Sequence, residues 1–151
     1  MTDCQIKEVT RDYPLSLLLD ADPDIKKIEK YLNKGRCFGL FLNGVLIAEY
    51  VLKTNKKDKS AEIVNLAVAK EYRRQGYARI LIKDALARSK EDGWKTVEIA
   101  TGKDSFQQKF YQSCGFEVYC VEENYFPEHY SSPIIDEGVE LKDLVRMRIS
   151  V

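Results

Sequence analysis

At 151 residues, 44% of them apolar and 32% charged, the chain is long enough for one domain with a single substantial core. Its 24 lysines and arginines balance its 24 aspartates and glutamates. No general basic field therefore exists to draw it onto nucleic acid or an anionic membrane, although a local phosphate site is still permitted. Cys4 to Thr10 alternates weakly and predicts a first strand. Pro14 to Leu19 predicts a short helix that ends at Asp20-Ala21-Asp22-Pro23. Asp22 as N-cap and Pro23 as first helical residue then open a helix to Asn33, with Ile25, Ile28 and Leu32 on one face and Gly35 as its stop. Cys37 to Leu42 and Val45 to Thr54 flank Asn43-Gly44, the strongest short hairpin signal in the chain.

Asn55 to Ser60 reads as a solvated loop. Ala61 to Ala69 is apolar on both faces, as in a central strand. Gly76 to Asp92 predicts a helix burying Ala78, Leu81, Ile82, Ala85 and Leu86, closed by Gly93. Thr96 to Thr101 is a strand. Asp104 to Cys114 is a helix, with Asp104 and Gln107 suited to a capping box and a stripe of Phe106, Phe110 and Cys114. Phe116 to Glu122 and Leu144 to Ser150 are the last strands, separated by a long segment holding Pro127 and Pro133. Early hairpins and a later β-α-β crossover imply an α/β (α+β) fold, a mixed sheet of about seven strands flanked by about four helices. No linker or repeat divides it, so one domain spanning 1–151 is expected.

Cys4, Cys37, Cys114 and Cys120 form no CxxC pair and have one histidine for company. The expectation is no metal site, reduced thiols and a cytoplasmic location. The opening MTDCQIKEVTRDY lacks the apolar stretch of a signal peptide, and no run reaches the length of a membrane span.

The most informative stretch is AEIVNLAVAKEYRRQGYA, Ala61 to Ala78: a buried strand, a polar turn, then a helix opened by Arg73-Arg74-Gln75-Gly76-Tyr77-Ala78. Backbone N–H groups at a helix start attract anions, and arginines beside a glycine point to a phosphate. Gly76 has no Cβ to hold a pyrophosphate away from the backbone, and Ala78 is small. The N–H groups from Arg74 through Arg79 are the candidate donors. The bland reading is a solvated arginine pair beside an ordinary turn glycine. Neither GxxxxGK[ST] nor GxGxxG is present to support another nucleotide site.

These residues resemble the acetyl-CoA signature of the GCN5-related N-acetyltransferases (GNAT), Q/R-x-x-G-x-G/A, placed between a central strand and the long helix. Phe110-Tyr111-Gln112-Ser113-Cys114-Gly115-Phe116 resembles the family's late helix, and Ala61-Glu62-Ile63-Val64 its strand start. The segment from Asn124 to Tyr130, followed by Pro133-Ile134 and Glu137-Gly138, resembles the substrate-side loop of a bacterial subgroup of small acetyltransferases. The resemblance implies a GNAT fold and transfer of an acetyl group from acetyl-CoA to a primary amine by direct attack in a ternary complex. The acceptor, whether small molecule or protein, is left open, and a homodimer is one open state.

By that resemblance, Tyr111 protonates the departing thiolate and Glu62 is the general base. A phenol of pKa ~10 suits a thiol of roughly 8.5, and an alkylammonium near ~10 must lose a proton before it attacks. The bland readings are a packing tyrosine and an exposed strand-end carboxylate. Leu66 would give its backbone N–H to the thioester carbonyl, and Val68 would pair through its backbone with the pantetheine amides. Arg73, Arg74, Gln75, Gly76, Tyr77, Ala78 and Arg79 would surround the pyrophosphate. The family's usual pantetheine-binding asparagine is missing from Gly102-Lys103-Asp104-Ser105, where Asp104 or Ser105 would partly substitute. Cys114 reads as a packing cysteine, and His129 sits in an aromatic stretch that would suit either a cationic acceptor or cover for the sheet edge. A non-catalytic acyl-CoA sensor is the alternative function.

Overall fold

Asn43 and Gly44 hold φ of 50° and 83°, the left-handed pair that a tight hairpin turn requires. They join β2 (Arg36–Leu42) to β3 (Val45–Asn55). The computed structural model describes residues 3–151. Around this hairpin stand β1 (Cys4–Val9), β4 (Ser60–Val68), β5 (Thr96–Gly102), β6 (Glu117–Glu122) and β9 (Leu144–Ser150). They form one seven-stranded sheet in the order β1-β2-β3-β4-β5-β9-β6. Only β4 and β5 pair in parallel, as a crossover through α3 (Tyr77–Glu91) demands.

α1 (Leu15–Ala21) and α2 (Ile25–Lys34) cover one face of the sheet, enclosing Leu18, Ile28, Cys37 and Val51. α3 and α4 (Phe106–Ser113) cover the other, over a larger core containing Phe38, Tyr50, Ile63, Leu81, Ile82 and Met147. The segment between β6 and β9 is not one long loop. It contains α5 (Tyr125–His129) and a small hairpin of β7 (Ile135–Asp136) and β8 (Val139–Glu140), turned by Glu137 and Gly138 at positive φ.

Three local expectations are corrected. The cap of α2 is Asp24, whose carboxylate accepts from the N–H groups of Lys26 and Lys27 at 3.0 and 3.3 Å. Asp22 is instead turned inward, accepting from the Asp24 N–H and from the hydroxyls of Tyr31 and Tyr130. At α4, Asp104 adopts φ of 62°, left-handed and not the extended backbone of an N-cap. Ser105 caps the helix, its Oγ accepting from Gln108 N–H at 3.2 Å, while the Gln108 side chain accepts from Asp104 N–H at 2.6 Å. The Phe106/Phe110/Cys114 stripe is also broken: Phe106 is 69% exposed, and Tyr111 is the residue that α4 buries.

Candidate active site

The geometry of the site begins with two departures from regular pairing. β4 and β5 pair only from Ser60↔Thr96 to Ile63↔Ile99. Beyond that point β4 stays with β3 as far as Val68 and β5 stays with β9 as far as Gly102, so a gap opens between the two central strands. At the same level β4 carries a bulge: Leu52 pairs with Ile63 but Val51 with Asn65, leaving Val64 extra. The bulge reverses the faces. Ile63 packs in the larger core, whereas Asn65, two residues on, lies on the α1/α2 face and bonds to α1 and α2.

Ala69 N–H donates to Ile47 on β3. Strand alternation therefore sends the N–H groups of Leu66 and Val68 the other way, into the gap. The Val68 carbonyl, which shares that direction, already accepts from Arg73 Nε at 3.0 Å. Arg73 also approaches Asp20 at 3.7 Å, so its guanidinium is turned back along the strand.

After β4 a short 3-10 turn (Lys70–Tyr72) leads to α3, with Gly76 as N-cap at φ 88°. Among the described residues, no protein acceptor takes the backbone N–H groups from Arg74 through Arg79. A Cβ built on Gly76 meets nothing within 4 Å, so the surface before the helix is open. Free N–H groups, open approach and helix dipole together fit a phosphate-bearing group. Arg74 and Gln75 are exposed, Tyr77 and Ala78 half-buried. Arg79 reaches α4, donating to Ser113 Oγ at 3.2 Å and lying over the Phe110 ring.

A cleft of about 1150 Å³ opens on the α1/α2 side. Glu62, Leu66 and Tyr111 all line it. Val68, Asp104, Ser105 and the residues 73–79 do not, so the start of α3 and the cleft are separate parts of the surface. Tyr111 is 7% exposed, and burial holds its hydroxyl protonated well above the usual phenol range. Loss of hydration likewise pushes the Glu62 carboxyl up; Arg146 and Lys53 oppose this and Glu98, its register partner on β5, adds to it.

Sequence reasoning missed the polar wall of the cleft. Asn65 Nδ2 donates to the Leu18 carbonyl at 3.0 Å and to Tyr31 Oη at 2.7 Å. Tyr31 donates in turn to Asp22 at 3.4 Å, and Tyr130 donates to the same carboxylate at 3.1 Å. Asp22, Tyr31, Asn65 and Tyr130 all face the cleft. α5 completes the wall: Lys27 Nζ lies 3.9 Å from the Tyr130 ring centre, and Tyr125 stacks on His129. A lone asparagine within the apolar run from Ile63 to Val68 was the available signal. Beside these lies Glu49 on β3, fully buried within Ala48-Glu49-Tyr50-Val51 and equally missed.

Comparison with known proteins agrees with this geometry. The family described as Acetyltransferase (GNAT) matches residues 5–116. The chain is 33% identical over 148 residues to the uncharacterized N-acetyltransferase YvbK of Bacillus subtilis (strain 168), covering 97% of this chain and 95% of that one. It is similar to a GNAT family acetyltransferase from Elizabethkingia anophelis solved with acetyl-CoA bound (TM-score 0.92, 32% identity, 98% of each chain). It is also similar to a Bacillus subtilis acetyltransferase solved in complex with CoA (TM-score 0.89, 32% identity, 100% of this chain and 99% of that one). The chain belongs to the acetyltransferase (GNAT) family, whose members draw their acetyl group from acetyl-CoA.

Proposed function

We propose that this acetyltransferase moves the acetyl group to a primary amine by direct attack within a ternary complex. The observation that carries the reading is the convergence of Glu62, Leu66 and Tyr111 on one cleft where β4 and β5 part. Acetyl-CoA supplies an activated thioester. The N–H groups from Arg74 through Arg79 would hold its pyrophosphate, and the free edge of β4 at Val68 its pantetheine arm. The bound relatives above support that fit, as do the unpaired amides of this chain.

The acceptor reaches the cleft as an ammonium of pKa near ~10 and must lose a proton. Glu62, half-buried and with its carboxyl pushed up toward the working pH, takes it. The Leu66 N–H donates to the acyl oxygen, a bond that strengthens as charge grows there. Tyr111, kept protonated by burial, gives its proton to the sulfur that leaves. Tyr31, Tyr125 and Tyr130, with the carboxylates of Asp22 and Glu62, give the cleft the aromatic and acidic lining that suits a cation.

The test is thiol release from acetyl-CoA against a panel of small polyamines, amino acids, aminoglycosides and peptide amines. At least one of these is expected to release thiol with stoichiometric acetylation. Tight acetyl-CoA binding without release across the whole panel would instead make the chain an acyl-CoA sensor.

A further inference from the structure

Three buried oxygens on the adjacent strands β3 and β4 have no hydrogen-bond partner: both carboxyl oxygens of Glu49 and Oδ1 of Asn65. Glu49 is 0% exposed and Asn65 4%. The register pairs Glu49 with Ala67 and Val51 with Asn65. Glu49 and Asn65 are thus diagonal neighbours across β3 and β4, both on the α1/α2 face. Side chains of their length span that separation, directly or through one water. The Asn65 amide cannot be turned round to help, because Nδ2 already donates to the Leu18 carbonyl and to Tyr31 Oη. Oδ1 therefore needs a donor, and no side chain or backbone N–H supplies one. An ionised Glu49 would add charge to that deficit. A protonated Glu49 supplies the one hydrogen required.

We propose that Glu49 and Asn65 form a buried pin, closed by the proton on Glu49, that holds the β4 bulge and with it the aim of the Leu66 amide. Asn65 directly follows the extra residue of the bulge and directly precedes Leu66. Its amide ties that point of β4 to α1 and α2, and Glu49 locks the amide from β3. Ionising Glu49 removes the donor, frees Oδ1 and lets the Leu66 N–H drift from the acyl oxygen. Glu49 and Asn65 are positioning residues, and the effect on turnover rests on the role proposed for Leu66.

The surroundings of Glu49 favour the protonated form. Burial pushes its carboxyl up to about 8, and the nearby Ala67 amide opposes this without making a hydrogen bond of normal geometry. The titratable groups near enough to feel its charge are Tyr31 from α2, Cys37 from β2 and, from the other face, Tyr111 of α4. Burial raises all three, Cys37 to about 12 and the two tyrosines above their usual range. Asp22 stands behind Tyr31, and Glu8 behind Cys37 in a pair with Arg36. With Tyr31, Cys37 and Tyr111 raised above it, the Glu49 carboxyl, pushed up to about 8, is the one of the four that loses its proton first as pH rises.

The direct test is NMR of the labelled protein saturated with CoA, titrated from pH 6.5 to 9.5. The Leu66 amide and the Asn65 side-chain Nδ2 signals are expected to move together with a midpoint near 8. In Glu49→Gln, which donates a hydrogen at every pH, neither is expected to titrate. Still signals in the wild type, or the same titration in Glu49→Gln, would overturn the pin. The kinetic readout is kcat of Glu49→Gln divided by kcat of the wild type for one amine, in which the acceptor's own ionisation cancels. That ratio is expected to rise at least tenfold between pH 7 and 9.5, and a flat ratio would overturn the link from pin to turnover. NMR titration in a protein that acetylates no amine would support the pin and remove the proposed function.

Discussion

Replacing Glu49 by Gln gives the fold a change in stability that depends on pH in a calculable way. Glu49 keeps its proton in the folded protein up to about pH 8, whereas in the unfolded chain it ionises near 4.5. Between these limits the folded state binds the extra proton, so wild-type stability falls as pH rises through that window. Every tenfold gain in proton affinity on folding is worth about 1.4 kcal/mol, which makes the full effect about 5 kcal/mol. About 1 kcal/mol of it is present at pH 5 and about 4 kcal/mol at pH 8. Gln has nearly the same shape and no such dependence. Every other titrating group is common to both proteins and cancels in the difference. Urea unfolding at pH 5 and pH 8 should therefore show the advantage of Glu49→Gln over wild type growing by about 3 to 4 kcal/mol. An advantage equal at both pH values would mean that Glu49 is ionised in the folded protein, and the reasoning would fail.

Other perturbations test other parts of the account. Glu62→Gln should lower kcat/KM by roughly 10²-fold or more and abolish an acid limb that, in the wild type, lies above the ordinary carboxylate range; a pH–rate profile checks both. Gly76→Ala places a Cβ at φ 88°, costing about 1 to 2 kcal/mol of stability. It also projects a methyl into the open approach to the cradle, so calorimetry should show weaker CoA binding, and unchanged affinity would remove that cradle from the site. Ser105→Ala should destabilise by about 1 kcal/mol through loss of the α4 cap, while Asp104→Ala loses no cap bond. Denaturation midpoints for the pair decide whether the cap lies where the hydrogen bonds put it.

Much of this molecule was legible because its signals are local. Asn43-Gly44 specifies a hairpin by backbone conformation alone, and the apolar run from Ala61 specifies a central strand. Gly76, at the junction of strand and helix, marks a helix start whose N–H groups are free by helix geometry. The errors came where local preference met tertiary demand. Asp22 is as good a cap by type as Asp24, but Tyr31 and Tyr130 recruit its carboxylate from distant elements. Asp104 was displaced as cap because Ser105 holds the extended backbone the position needs. Phe106 matched the helical period yet points to solvent, since α4 is rotated to bury Tyr111. The wall of the cleft was invisible for a different reason. Asn65 lies on the α1/α2 face only because the bulge at Val64 reverses the strand, and a bulge is set by pairing with β3.

Tyr111→Phe, assayed by thiol release at saturating acetyl-CoA and amine, tests the central claim most directly. The substitution removes one hydroxyl from a residue 7% exposed and leaves the cradle at the start of α3 untouched. If Tyr111 protonates the leaving sulfur, kcat should fall by roughly 10²-fold or more while the dissociation constant for acetyl-CoA stays within about twofold. An unchanged kcat, with the variant folded and binding acetyl-CoA as the wild type does, would contradict the account.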